Sequence, residues 1–298
     1  MPIGESHRMN KVVVRLSGGL GNQMFQYAAA RSVALREDVP LHLDLSWFGT
    51  DPARQFALSH FNIEASTSAD TPVSKNSLLA RIGRRIKRSV GMPEYGLRVF
   101  TEKSFRYDPA IQNAHAPVYL DGHFQSEKYF LPMHQQISSD FTIRNEPHQN
   151  TKDILSKIKA TDSICIHIRR GDYVSNPQTN AYHGTCSFDY YHAGLDIVCR
   201  GLKRPHCFLF SDEPTWVRDN FHLDLPVTVV DIHSAQEAHE DLRLMSACRR
   251  FVIANSSLSW WGAWLASGSD KYVVAPKRWF NGGRHDTCDL IPHGWVQV

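Results

Sequence analysis

Short apolar runs alternate along this chain with longer mixed segments, and the alternation predicts an α/β protein. Val12, Val13, Val14 and Leu16 read as a buried strand, residues 17–22 as a tight glycine-bearing loop, and residues 23–35 as a helix. In that helix Met24, Tyr27, Ala28, Val33 and Leu35 fall near helical spacing. Residues 41–43 and 118–120 read as further strands, with a helix from about Ser126, while 46–115 carries no clean pattern. The second half predicts strands at 163–168, 207–210, 227–230, 251–254 and 272–275. Helices are expected between them, near 187–200, 213–220, 236–248 and 257–266. Strands alternating with helices predict parallel, doubly wound sheets. The polar stretch 144–151, which includes Pro147, is the candidate linker. It divides the chain into two α/β domains, 1–150 and 151–298, facing a cleft.

Polar chemistry gathers where predicted strands end. His167, Arg169, Arg170, Gly171 and Asp172 follow the run Ser163, Ile164, Cys165, Ile166. Ligands in open α/β sheets bind beyond the carboxyl ends of strands, and adjacent guanidinium forks suit phosphate. A structural salt-bridge cluster is the competing reading. Arg170-Gly171-Asp172 also spells an adhesion tripeptide, but that role needs an exposed extracellular loop. Ser211, Asp212 and Glu213 form a second strand-end cluster, and Glu240 and Asp241 open a helical segment. Either acid pair could cap a helix or accept hydrogen bonds from a base or ribose. Asn255, Ser256 and Ser257 run from a strand into an apolar helix. The serines could cap that helix or bind phosphate at its N-terminus. The turn is formally a glycosylation sequon, expected to be buried. Gly18, Gly19 and Gly21 are not a dinucleotide fingerprint, because Met24 stands where the third glycine of that pattern belongs. A P-loop motif is absent as well. The glycines either make a tight turn or let a ligand approach the backbone, with Asn22 presented at a helix start.

Composition narrows the class. A net charge of +3 is too small for a nucleic-acid protein. The six cysteines include no C-x-x-C pair, so neither a zinc site nor a disulfide framework is expected; sixteen histidines include no metalloprotease pair. No apolar run approaches the roughly 20 residues of a membrane span. The first residues lack a signal-peptide layout, so a soluble cytoplasmic protein is expected. Arg81, Arg84, Arg85, Lys87 and Arg88 form a local basic run, either a solvated face or a contact for an anionic surface such as a membrane periphery.

Taken in order, residues 17–28, His167 to Tyr173, Phe210 to Glu213 and Asn255 to Leu265 resemble the inverting fucosyltransferases of glycosyltransferase family 11. The resemblance runs from about residue 11 to the C-terminus. It implies a GT-B-type fold with Rossmann-like halves, the first binding the acceptor and the second the donor. It further implies GDP-fucose as donor, a galactose-containing glycan as acceptor, and inverting transfer, usually α1,2. No cofactor or metal is implied, in keeping with the lack of a D-x-D motif. By the same resemblance Arg169 grips the diphosphate with Ser256 and Ser257, and Asp241, fifteen residues before Ser256 (256 − 241), contacts guanine. His167, Arg169, Asp172 and Asn22 are then the candidate catalytic residues, with Asp172 as base or as holder of the arginines. Gly19, Gly21, Arg170, Ser211, Asp212 and Asn255 join the donor site. Transfer with α1,3 or α1,6 linkage, and a carbohydrate- or nucleotide-binding module without turnover, are the rival readings. Oligomeric state has no signature here.

Overall fold

The computed structural model describes residues 10–51, 54–67, 97–281 and 285–298, so the basic run at 81–88 lies outside the described residues. The chain divides into two units, Met1–Phe141 and Thr142–Val298, ahead of the boundary expected at 150.

In the first unit, β1 (Val12–Arg15), β2 (Leu41–Asp44), β3 (Ser66–Thr67), β4 (Arg98–Thr101) and β5 (Val118–Asp121) form a parallel sheet ordered β3-β2-β1-β5-β4. The central strand carries three fully buried valines, as parallel strands covered on both faces require. The helix α1 (Leu20–Glu37) starts three residues earlier than the apolar stripe suggests. It is buried nearly all round: Gln23, Gln26, Arg31 and Ser32 lie inside along with the stripe. Three of these polar residues, Gln23, Gln26 and Arg31, are paired. Arg31 reaches Asp140 at 3.0 Å, and the Tyr27 hydroxyl donates to the same carboxylate at 2.6 Å. The helix expected from Ser126 begins instead as α2 (His134–Asp140). Ser126 caps a single tight turn, and another, Leu131–Met133, follows with Pro132 as its second residue, which delays regular helix.

The second unit holds β6 (Asp162–Ile168), β7 (Pro205–Ser211), β8 (Val227–Val230), β9 (Arg250–Val252), β10 (Tyr272–Ala275) and β11 (Val296–Gln297). All pair in parallel, in the order β11-β10-β9-β6-β7-β8. Part of the expected linker is helical: α3 (Gln149–Ala160) starts there and puts Ile158 into the core. Two short helices, α4 (Gly171–Ser175) and α5 (Pro177–His183), continue from the arginine motif; Asn176 caps the second through its side chain. The expected helices appear as α6 (Phe188–Val198), α7 (Pro214–Asn220), α8 (Ala238–Ser246) and α9 (Ser257–Leu265). Ile164, Ile166, Tyr191, Leu195, Leu209 and Val252 share one apolar core between sheet and helices. The six cysteines are free thiols.

Candidate active site

β6 and β7 run side by side with Ile168 opposite Ser211, so Arg169 and Asp212 leave the sheet at the same level. Asp212 organises both arginines. Its Oδ2 lies 2.7 Å from Arg169 Nη1, and its Oδ1 accepts the Arg170 backbone N–H at 2.9 Å. Arg169 also pairs through Nη2 with Asp172, and its guanidinium sits 5.1 Å over the Tyr173 ring. Arg170 donates from Nε to Glu213 at 2.9 Å and stacks 3.4 Å over Trp216. The Ser211 hydroxyl accepts the Glu213 N–H at 3.0 Å and shapes this turn. Gly171 is required by close approach: a Cβ there would meet Asp212 Cγ at 3.0 Å and Oδ2 more closely still.

The salt-bridge reading of the motif is therefore realised, because both arginines have carboxylate partners. The formal count is two cations to three carboxylates, so net charge does not make this an anion site. What remains for a ligand is the set of guanidinium N–H groups that the carboxylates leave unused, held in fixed orientation.

His167 is buried just inside the strand end, 4% exposed. Burial pushes its imidazole down to about 4, Arg169 pushes the same way, and Asp212 opposes. The ring is thus neutral at ordinary pH. Its backbone carbonyl accepts from the Tyr191 hydroxyl at 3.0 Å, which anchors α6 to the motif.

β9 is the other neighbour of β6, so the Ser-Ser turn leaves the same edge of the sheet. Ser256 occupies the cap position of α9 by its backbone, yet its side chain makes no capping hydrogen bond. Of the two roles open to it, the side-chain cap is not formed, and the hydroxyl and first-turn N–H groups remain as donors. Asn255 is spent on architecture. It is buried, and its amide nitrogen donates toward the carbonyls of His183, Gly184 and Trp279 at 3.0–3.2 Å. That burial rules the sequon out as a surface glycan site. Tyr173 links the two motifs, lying under Arg169 while its hydroxyl donates to the Asn255 carbonyl at 3.4 Å. Trp260 and Trp261, fully buried, hold α9 in place.

Asp241 belongs to a separate group in the same unit. It lies 2.7 Å from His233 Nδ1, and His233 Nε2 lies 2.8 Å from the Thr151 hydroxyl. Burial pushes the Asp241 carboxyl up, and the bond to His233 opposes this. Gly19, Gly21 and Asn22 lie in the first unit. Gly19 caps α1 through its carbonyl, which accepts the N–H groups of Asn22 and Gln23. Gly21 and Asn22 form its first turn, and Asn22 Oδ1 accepts from Gln125 Nε2 at 2.9 Å.

A cavity of about 230 Å³ opens at the arginine edge, lined by Arg169, Arg170, Thr185, Cys186, Ser187, Phe188 and Trp216 among others. Trp216 and the 185–188 segment were not legible as site residues, and Tyr173 was named only as the end of the arginine motif. No spacing rule marks an aromatic that stacks under an arginine from a neighbouring element. Among the described residues no cluster of histidine, cysteine and carboxylate side chains is arranged to hold a metal ion.

Two parallel α/β units, with polar clusters at the carboxyl ends of the second sheet, are the architecture of the GT-B glycosyltransferase type. The chain belongs to glycosyltransferase family 11, whose pattern it matches over residues 6–298. It is 32% identical to Alpha-1,2-colitosyltransferase of Escherichia coli, over 97% of this chain and 99% of that relative. It is 30% identical to O-antigen biosynthesis glycosyltransferase WbnK of Escherichia coli, over 95% and 99%. The solved structure of NodZ alpha-1,6-fucosyltransferase soaked with GDP-fucose superposes with a TM-score of 0.52 at 16% identity, covering 87% of this chain and 93% of that one, and shares the fold.

Proposed function

We propose that this glycosyltransferase moves L-fucose from GDP-fucose to a galactoside hydroxyl, with inversion and α1,2 linkage, in the synthesis of a surface polysaccharide or oligosaccharide. The observation that carries the reading is the fixed pair Arg169 and Arg170 bordering a cavity at the carboxyl edge of the second sheet. The second unit takes the donor and the first the acceptor. As the fucosyl carbon gains oxocarbenium character, GDP leaves with growing negative charge. Unused N–H groups of Arg169 and Arg170 face that charge with the Ser256 and Ser257 helix start, doing the work a metal ion does elsewhere. Asp212 and Asp172 hold the arginines in place, and Asp241, oriented by His233, accepts from guanine. No cofactor enters; the nucleotide sugar is itself a substrate. Among the described residues no helix is long and apolar enough to cross a membrane.

The identity to Alpha-1,2-colitosyltransferase favours one second reading, a donor sugar lacking the 3-hydroxyl of fucose. A GDP-release assay with both nucleotide sugars against a galactoside panel decides between them. The expected result is turnover with GDP-fucose only when acceptor is present, undiminished by EDTA, with α1,2 linkage by NMR. Activity lost in EDTA overturns the arginine-based account. Binding without turnover on any acceptor overturns the enzyme reading.

A further inference from the structure

Three buried glutamines sit around the loop between β1 and α1, and two of them are fully bonded. Gln23 Nε2 donates to the carbonyls of Gly18 and Gln55 at 3.0 and 2.9 Å, and its Oε1 accepts the Ala57 N–H at 2.9 Å. Gln26 Nε2 donates to the Ser17 hydroxyl and the Gly122 carbonyl at 2.9 and 3.2 Å, and its Oε1 accepts the Ser17 N–H at 2.8 Å. Gln125 differs. It is 7% exposed, and its Nε2 donates to Asn22 Oδ1, but its Oε1 is buried with no hydrogen-bond partner. An unpaired buried amide oxygen is costly, and the other two glutamines show that this loop can satisfy such groups.

The same bond sets the Asn22 amide. With Oδ1 turned to Gln125, Nδ2 is left as the donor end, beside Gly18. Gly18 has φ +74°, and a Cβ there would meet Asn22 Nδ2 at 2.7 Å, so glycine keeps this approach open. Asn22 and Gln125 follow β1 and β5, neighbours in register at Val14 and Leu120, so both stand at the carboxyl edge of the first sheet. The couple thus leaves one acceptor group and one donor group on two residues joined by a hydrogen bond. A phosphate oxygen only accepts and an ammonium only donates; a hydroxyl does both through one atom.

We propose that Asn22 and Gln125 form a hydroxyl-binding couple that takes one sugar hydroxyl of the galactoside acceptor, accepting its proton at Gln125 Oε1 and donating from Asn22 Nδ2. The inference rests on the fucosyl-transfer reading for the identity of the sugar. The fucose ring of the donor is the other source of such a hydroxyl.

Calorimetry separates the sources. Wild type, Gln125→Met and Gln125→Glu are titrated with methyl β-galactoside in the presence of GDP, and separately with GDP and with GDP-fucose. Gln125→Met is expected to weaken galactoside binding about three- to tenfold, with GDP and GDP-fucose unchanged. Gln125→Glu, which keeps an acceptor oxygen, recovers part of that loss. Monodeoxy methyl galactosides on the wild type give a readout that needs no variant to fold. One of them weakens by a similar factor, and Gln125→Met no longer distinguishes it from the parent sugar. A loss confined to GDP-fucose, with GDP unaffected, assigns the couple to the donor ring and overturns the acceptor assignment. Equal galactoside affinities throughout, or no galactoside binding by the wild type, overturn the couple. Failure of the fucosyl-transfer reading shows separately, as a wild type that binds neither GDP nor GDP-fucose.

Discussion

Asp172 is the residue whose role the geometry separates most sharply by size of effect. It follows Arg169 by three positions and pairs with Nη2 of that guanidinium, while Asp212 holds Nη1 at 2.7 Å. If Asp172 is a holder of the arginine, replacing it with asparagine leaves an oxygen able to accept from Arg169, and Asp212 is untouched. The pair is partly exposed, 23% for Arg169 and 40% for Asp172, so solvent screening limits its worth to about 1 kcal/mol. A loss of about fivefold in kcat/KM follows. If Asp172 is the general base, asparagine removes proton transfer altogether, a loss of about 10²- to 10⁴-fold. The assay is initial-rate GDP release by wild type and Asp172→Asn across about pH 5 to 9, where a lost base also deletes the acidic limb of kcat/KM. The expected outcome is the small loss with that limb retained. A loss above about 100-fold with the limb gone refutes the holder assignment.

Three other expectations test the same edge of the sheet. Arg169→Ala removes donors aimed at the departing diphosphate and is expected to lower kcat by about 10²- to 10³-fold, with circular dichroism unchanged; near-normal turnover refutes its role. Gly171→Ala drives a methyl into Asp212, so about 1–3 kcal/mol of stability and much of the activity are expected to be lost together, and a neutral result in urea unfolding counts against the tight approach. His167 binds its proton more weakly when folded, about 4 against an ordinary 6.5, so the unfolded chain holds more protons between those values. Its contribution, full above about 6.5, is lost as pH falls toward 4 and amounts to about 3 kcal/mol; urea unfolding from pH 7.5 to 4.5 is expected to be less pH-dependent in His167→Gln, and equal slopes refute this.

Much of the architecture was legible because parallel strands and their helices carry strong apolar patterning. The strands at 227–230 and 272–275 fall where the pattern places them, and β6 differs by one residue. The helix at 149–160 was missed because its polar first turn reads like a linker and buries few residues. The arginine motif could be located, but not that carboxylates would hold both guanidiniums by part of their N–H groups. That depends on Asp212 arriving from a strand 42 residues away along the chain.

The sequence by itself determined the α/β class, the strand ends where polar residues concentrate, and the family, because local periodicity and contiguous motifs survive without knowledge of contacts. Only the tertiary structure decided which of those polar residues are spent on one another. Asn255 is consumed by three backbone carbonyls and Asp172 by Arg169, while Ser256 is left uncapped and Gln125 keeps a buried acceptor open. Hydrogen bonding is a matter of partners a few ångströms apart in space, and those partners lie tens of residues apart along the chain.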